Sequence, residues 1–384
     1  MNGYFDCNAT TPMFPEVGKH FAEKAATTWH NPSSLYPAAA LAKRELEECR
    51  EWLADFLDLE EPSRIVFTSG ATESNNIVFR SLPAQAKNRV LVSAIEHPSV
   101  MEPAKRHGPG FSEIPVDGNG RIDLAALQTF LESENVSLVS IMAANNETGV
   151  TQPWEEISAL CHQYGVPLHS DATQWFGKLP VGNLGSIDWL TGSAHKFGGP
   201  KGVGFLVIPV GCEMLGGAQA GGPQEQRLRG GTENVPAISA MIWALKYLEP
   251  RIPACETKAR DRDEFETRLA GMLPEVRFIG QGVPRLWNTS MLVVPRHNNL
   301  KWLTRLADLG FQVSTGSACS SGRGNPSHVM EAMGLDFTEM GRVLRISGGW
   351  DTSADDWNAL TAALAKTWKD LDSSGAPTRK KITL

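Results

Sequence analysis

The chain has 384 residues, enough for two or three domains and for a core that needs no disulfide or metal to hold it. Lys plus Arg number 36 against 43 Asp plus Glu; the net charge of −7 argues against non-specific binding to nucleic acid or an anionic membrane. Hydrophobic residues make up 41% and charged ones 21%, the balance of a globular protein and not of a disordered one.

The six cysteines, at 7, 49, 161, 212, 255 and 319, form no CxxC pair and are too sparse for a disulfide framework, so a reduced, cytoplasmic protein is expected. The N-terminus has neither the basic nor the apolar region of a secretory signal, and no apolar run reaches the roughly 18 residues of a membrane span.

Along the chain, residues 38–57 carry Ala42, Leu46, Cys49, Leu53 and Phe56 at steps of 4, 3, 4 and 3. That spacing predicts an amphipathic helix with Cys49 on its buried stripe. Short apolar runs follow at 65–68, 90–93, 138–142, 167–170, 187–191 and 203–208. Most lack period-two alternation, as strands buried on both faces do. Helical patterns at 123–132 and 154–164 lie between them. The expectation is an α/β fold with a mostly parallel, doubly wound sheet.

From about residue 255 the texture changes to that of a smaller α+β domain. It comprises a charged helix (256–272), a strand (289–294), a helix (300–309), a strand (311–314), a loop to Asn325, a short helix from Pro326 and a strand (343–347). Ser353, with Asp356 three residues on, opens the final helix as a capping box does. The predicted division is a large domain over 15–254, a small domain from 1–14 and 255–372, and a polar tail, 373–384.

Five segments carry residues suited to chemistry. Thr68-Ser69-Gly70-Ala71-Thr72 runs from a strand into a helix, where open backbone N–H groups and the helix dipole bind phosphate; the same residues also serve as ordinary caps. Ser193-Ala194-His195-Lys196 follows a strand, and a lysine so placed forms a Schiff base if its amine is held uncharged, or is simply a surface lysine. Asp171 closes another strand, where a carboxylate faces the ligand crevice of a parallel sheet or caps the next turn. His97 stands just past a third strand, suited to stacking or proton transfer. Cys319 lies in a small, polar, glycine-rich loop near Arg323, a setting that favours a thiolate. No HExxH or paired zinc-ligand spacing is present, so no metal is expected, and neither GxGxxG nor a Walker-type loop occurs.

These segments resemble one family in order and spacing: the cysteine desulfurases, pyridoxal-phosphate enzymes of the class V aminotransferase group with the type I fold. The matching motifs are 6–12, Asn31-Pro32-Ser33-Ser34, 67–76, Glu96-His97, 145–150, 171–174, 193–202, 229–234, 314–321 and 344–347. The resemblance implies that Lys196 carries pyridoxal 5'-phosphate as a Schiff base, Asp171 pairs with the pyridine nitrogen, Gln174 bonds the ring hydroxyl and His97 stacks on the ring. Ala71, Thr72, Ser193 and His195 would cradle the phosphate, and Thr232 would reach the phosphate of a neighbouring subunit, making a homodimer. Asn31, Asn146 and Arg345 would hold L-cysteine, with Arg345 clamping its carboxylate. Cys319 would take the sulfur as a persulfide, leave L-alanine, and pass the sulfur to an acceptor protein. The loop Gly-Ser-Ala-Cys-Ser-Ser is similar to that of the nitrogenase and iron–sulfur-assembly branch.

The sequence departs from the family pattern at Tyr36, where His is usual, at Cys7 and Asn8, where Asn or Tyr and then Ala or Ser are common, and at Pro223, Gln226 and Arg227, which replace Gly, Arg and Gly. The alternatives are a selenocysteine lyase, epimerase or aminotransferase of the same fold, or a non-catalytic cofactor-binding adaptor.

Overall fold

The computed structural model describes residues 3–82, 88–107, 110–212, 219–316 and 327–374. Two helices come first, α1 (Pro15–Thr27) and α2 (Pro37–Phe56). Each opens on a proline, whose missing N–H costs nothing in the first turn. Strands and helices then alternate: β1 (Ile65–Thr68), α3 (Ala71–Arg80), β2 (Arg89–Ser93), α4 (Pro98–His107), β3 (Phe111–Ile114), α5 (Leu124–Ser133), β4 (Val136–Ser140), α6 (Trp154–Gln163) and β5 (Leu168–Asp171). β6 (Trp189–Ser193), β7 (Gly204–Val207) and α7 (Val235–Leu248) complete this part.

The seven strands form one sheet in the order β1-β7-β6-β5-β4-β2-β3. The β2–β3, β2–β4, β4–β5 and β5–β6 pairs are parallel, and β7 runs against both its neighbours. Apolar strands such as Ile-Val-Phe-Thr in β1 are covered on both faces, which is why they show no alternation. α7 is apolar around most of its circumference and buries ten side chains; Asn234 caps it by accepting from Ala237 N.

The second part holds α8 (Cys255–Met272), β8 (Arg277–Ile279), β9 (Thr289–Val293), α9 (Asn299–Asp308), α10 (His328–Ala332), α11 (Phe337–Met340), β10 (Val343–Ser347) and α12 (Ala354–Ser374). Its antiparallel sheet, β10-β9-β8, has a core of its own around Phe5, Phe265, Trp302, Leu344 and Trp357. The N-terminal segment ties the two parts together. Tyr4 bridges Gln312 and Asp6 bridges Ser347 in the small sheet's neighbourhood, and Thr11 N then donates to His195 O (2.8 Å) at the end of β6.

The α/β fold and its mostly parallel sheet are as the sequence predicts. The differences are local. β6 begins two residues later than the run at 187, because Asp188 turns its carboxylate to accept from Leu168 N (2.9 Å). Residues 311–314 form no strand: Gln312 pairs with Tyr4 and Ser314 with Arg345, two different partners that make single bridges and no continuous ladder. β3 and β8 escape the pattern because both are short edge strands with polar residues. Ser353 and Asp356 form the expected reciprocal pair, Ser353 N to Asp356 Oδ2 at 2.9 Å and Asp356 N to Ser353 Oγ at 3.1 Å. α12 runs on to Ser374, into the segment read as a tail; 375–384 lie outside the described residues. Among the described residues, no helix is long and apolar enough to cross a membrane.

Candidate active site

Parallel strands deliver their carboxyl ends to one edge of a sheet, and ligands collect there. β2, β5 and β6 do this with His97, Asp171 and the Ser193–Lys196 turn, which line a single cavity of about 850 Å³. The small sheet contributes Arg345 from β10, and the N-terminal segment contributes Asn8 and Ala9.

Lys196 follows β6 in a short 3-10 turn and reaches across to the N-terminal segment. Its Nζ donates to the carbonyls of Asn8 (2.7 Å) and Ala9 (2.8 Å). Gln174 Nε2 donates to the same Asn8 carbonyl at 2.9 Å.

Asp171 is buried and held at both oxygens. Oδ1 accepts from Thr173 N (3.0 Å) and Oδ2 from Asn75 Nδ2 (2.8 Å). Asn75 Nδ2 also donates to Ser99 Oγ (2.9 Å), which lies 2.8 Å from His97 Nδ1. Ser99 N donates to that same Nδ1 at 3.1 Å. Two donors at Nδ1 assign the neutral tautomer with its proton on Nε2. Burial holds the His97 pKa below the ordinary imidazole value, with the Asp171 charge opposing.

At the other side of the cavity, α3 begins at Gly70 with no side-chain cap, so its first N–H groups are open. Gly70 has φ +144, and a Cβ there would sit 3.4 Å from Ser193 Oγ; a Cβ on Gly204 would come within 2.7 Å of Gly70 Cα. Glycine keeps this cradle open for an anion between the helix end, Ser193 and His195. Burial, with Lys196 and Lys201 adding to it, lowers the His195 pKa to about 4, so at neutral pH the ring is neutral, with Nδ1 3.1 Å from Thr10 Oγ1.

Arg345 is almost completely buried. Nη1 donates to Asn146 O and Gly316 O (both 3.0 Å), and Nη2 to Asp6 Oδ1 (2.7 Å). Its Nε is a buried donor with no hydrogen-bond partner among the described residues. Two buried carboxyls also line the cavity. Glu96 accepts from Met142 N and has its pKa pushed well up by burial and by Asp171. Glu147 accepts from Ser327 Oγ (2.7 Å), and burial raises it too, against the nearby Arg345.

Of the residues singled out in the sequence, the cavity brings together Ala71, Thr72, His97, Asn146, Asp171, Gln174, Ser193, His195, Lys196 and Arg345. Asn31 and Thr232 are exposed and do not line it within one chain. Cys319 and Arg323 lie outside the described residues. Sequence reasoning gave no role to Ser99, or to Asn8, Asn75, Glu96 and Glu147, which have partners distant in the chain; the one available signal was their place inside or beside the matched motifs. Among the described residues no group of three or more His, Cys, Asp or Glu side chains is placed to hold a metal.

Comparison with known proteins agrees with this arrangement. The aminotransferase class-V family matches residues 3–360. The chain is 38% identical over 376 residues to a cysteine desulfurase of Rhodobacter capsulatus, covering 96% of this chain and 97% of that one. It is 36% identical over 360 residues to a cysteine desulfurase of Cereibacter sphaeroides, covering 92% of each. Among solved structures, a NifS-like protein from Rickettsia africae superposes with a TM-score of 0.87 at 31% identity, covering 96% of this chain and all of that one. Family, relatives and fold converge along nearly the whole length, and the chain belongs to the class V aminotransferase family as one of its cysteine desulfurases.

Proposed function

We propose that the cavity binds pyridoxal 5'-phosphate on Lys196 and takes L-cysteine as substrate, with Cys319 as the sulfur acceptor. One observation carries this reading. A lysine amine, a doubly held aspartate, a neutral histidine and an uncapped helix N-terminus converge on one cavity. The donor set fits the cofactor. The open N–H groups of α3 with Ser193 and His195 suit a phosphate, Asp171 suits a protonated ring nitrogen, and Gln174 suits the ring hydroxyl. When bound, pyridoxal phosphate supplies an electron sink for the electrons of the broken Cα–H bond.

The chain's own residues do the rest. Lys196 Nζ takes and returns the proton at the substrate's Cα. His97, neutral and fixed at Nδ1 by Ser99, packs on the ring face and presents Nε2–H. Arg345, with Nε unpartnered, and Asn146 bind the substrate carboxylate. The net exchange converts L-cysteine and the Cys319 thiol into L-alanine and a Cys319 persulfide. A Cβ–S bond breaks, an S–S bond forms, and one thiol hydrogen ends on the three-carbon remnant. The persulfide then passes to an acceptor protein, in the cytoplasm.

The same reading makes the protein a homodimer in which Thr232 and Asn31 serve the neighbouring cavity. The support is a set of exposed apolar side chains next to Asn31: Trp29 at 67%, Leu35 fully so and Leu41 at 62%, with Trp243 on α7. It also divides the chain into a large domain, 15–254, and a small one, 1–14 with 255–372, supported by their separate cores.

The test uses cofactor-loaded protein given L-cysteine and a reductant, with sulfide and alanine quantified for wild type and Cys319→Ala. Equal yields that vanish in the variant are expected. Full-rate turnover in Cys319→Ala overturns the reading in favour of lyase, epimerase or aminotransferase chemistry.

A further inference from the structure

Lys178 is a second lysine beside the cavity, and nothing in the reaction described above uses it. Its side chain is fully buried, and its Nζ donates to Gln174 Oε1 (2.5 Å) and Asn8 Oδ1 (2.9 Å). No carboxylate is among these hydrogen-bond partners. Burial, with Lys196 adding to it, lowers its pKa to about 7. A buried amine held by two neutral amide oxygens is costly, and a hydrophobic side chain of the same length would fill the space more cheaply.

The backbone around it is clamped. Trp287 Nε1 donates to Lys178 O (2.9 Å) and Trp350 Nε1 to Gly177 O (2.7 Å). Gly177 has φ +69, and a Cβ there would lie 2.5 Å from Phe197 Cβ. The amine is therefore delivered to a fixed point.

A carboxamide has an acceptor end and a donor end of nearly equal size, and its neighbours alone decide which way it faces. An ammonium offers donors only. Against Lys178, Gln174 must turn Oε1 inward, which leaves Nε2 on the cavity side, where it already donates to Asn8 O at 2.9 Å. Asn8 likewise turns Oδ1 inward, where it accepts from Asn288 Nδ2 (3.1 Å) as well as from Lys178. Its Nδ2 then donates to Thr289 Oγ1 (2.9 Å) and to Asn146 O (3.2 Å), the carbonyl that also receives Arg345 Nη1 (3.0 Å). The amine thus bridges the acceptor ends of two carboxamides, one whose N–H faces the cofactor side and one whose N–H faces the substrate side.

We infer that Lys178 is a positioning residue: it fixes the Gln174 and Asn8 carboxamides so that Gln174 presents its N–H to the bound cofactor's ring oxygen and Asn8 steadies the Asn146–Arg345 end. The inference rests on the reading that the cavity binds pyridoxal phosphate.

The test is a double-mutant cycle read on the resting holoenzyme without substrate. The visible absorbance of the bound cofactor is titrated against pH in wild type, Lys178→Met, Gln174→Ala and the double variant. Loss of the donor makes the ring oxygen more basic, so the midpoint in Lys178→Met rises by about one pH unit, a tenfold change in the ionisation constant. In the Gln174→Ala background the same substitution moves it by less than about a third of that, because the path through Gln174 is gone. Equal shifts in both backgrounds would mean that Lys178 acts by charge alone, and no shift would mean that it acts only on the fold; either overturns the inference. Lys178→Gln, which keeps a polar head in the pocket, runs through the same cycle where Lys178→Met does not fold. A wild type that shows no visible band on loading with pyridoxal phosphate overturns the reading of the cavity itself, a failure distinct from the other two.

Discussion

Ser327 Oγ donates to Glu147 Oε2 at 2.7 Å, and Gly316, on the other side of the stretch that carries Cys319, packs against the same carboxyl. A Cβ on Gly316 would lie 3.0 Å from Glu147 Oε2, and Gly316 O is held by Arg345 Nη1. Gly316 and Ser327, which flank residues 317–326, are therefore both held on the cavity wall. Ser327→Ala removes a buried partner of a carboxyl group and should cost about 1–3 kcal/mol of unfolding free energy. It should also slow persulfide formation while leaving the cofactor's absorbance as in wild type. Urea unfolding and a single-turnover assay check the two effects.

Glu96 gives the stability a pH dependence of known sign. Its folded pKa lies above the ordinary carboxyl value, so the folded state keeps a proton that the unfolded chain has lost. The contribution is whole below the ordinary carboxyl range and is lost as pH rises through the raised value. The loss is at most about 1.4 kcal/mol per pH unit. Glu96→Gln, which needs no proton, should flatten that slope. Urea midpoints measured from pH 5 to pH 8 decide it: parallel curves for variant and wild type contradict the assignment.

Arg345→Lys keeps a charge near Asp6 but loses the planar fork whose Nη1 serves Asn146 O and Gly316 O while Nη2 serves Asp6. The expected outcome is a KM for L-cysteine raised about tenfold or more, with the cofactor still bound. Steady-state kinetics alongside absorbance separate the two.

Arg50 and Glu225 form a buried bidentate pair, at 2.9 and 3.0 Å, and Glu225 also accepts from Phe67 N at 2.9 Å. The pair holds a turn in which Glu225, Gln226 and Arg227 all have positive φ, at 43, 55 and 69. Arg50→Met should destabilise by about 3–5 kcal/mol, because Glu225 is left charged and buried, and adding Glu225→Gln should recover part of that. Arg227→Gly should stabilise by roughly 0.5–1 kcal/mol, since glycine meets no Cβ penalty in the left-handed region. Thermal and urea unfolding of the three variants check both statements.

The sequence made the carboxyl-terminal edge of the sheet legible, because a run of apolar residues that stops at Asp171, or just before His97 or Lys196, marks both strand and site at once. It left the small-domain edge less legible: β8 is three residues long, and 311–314 splits its pairing between Tyr4 and Arg345. The polar network was not legible at all. Asn75 meets Asp171 across 96 positions, and Lys178 meets Asn8 across 170. No periodicity announces a pairing of that reach; only the folded backbone brings such groups within hydrogen-bonding distance.

The N-terminal segment has a bearing on when the protein becomes competent during its own synthesis. Asn8 N donates to Ser347 Oγ and Arg345 donates to Asp6, each across 339 positions. The first dozen residues leave the ribosome early and find their strand-end partners only when β10 has emerged. Contacts of such long range form late. A nascent chain halted before residue 347 would hold Lys196, Asp171 and His97 on a finished large sheet, yet lack the wall that Arg345 and Asn8 complete. The wall that Arg345 and Asn8 complete is therefore among the last parts of the cavity to form.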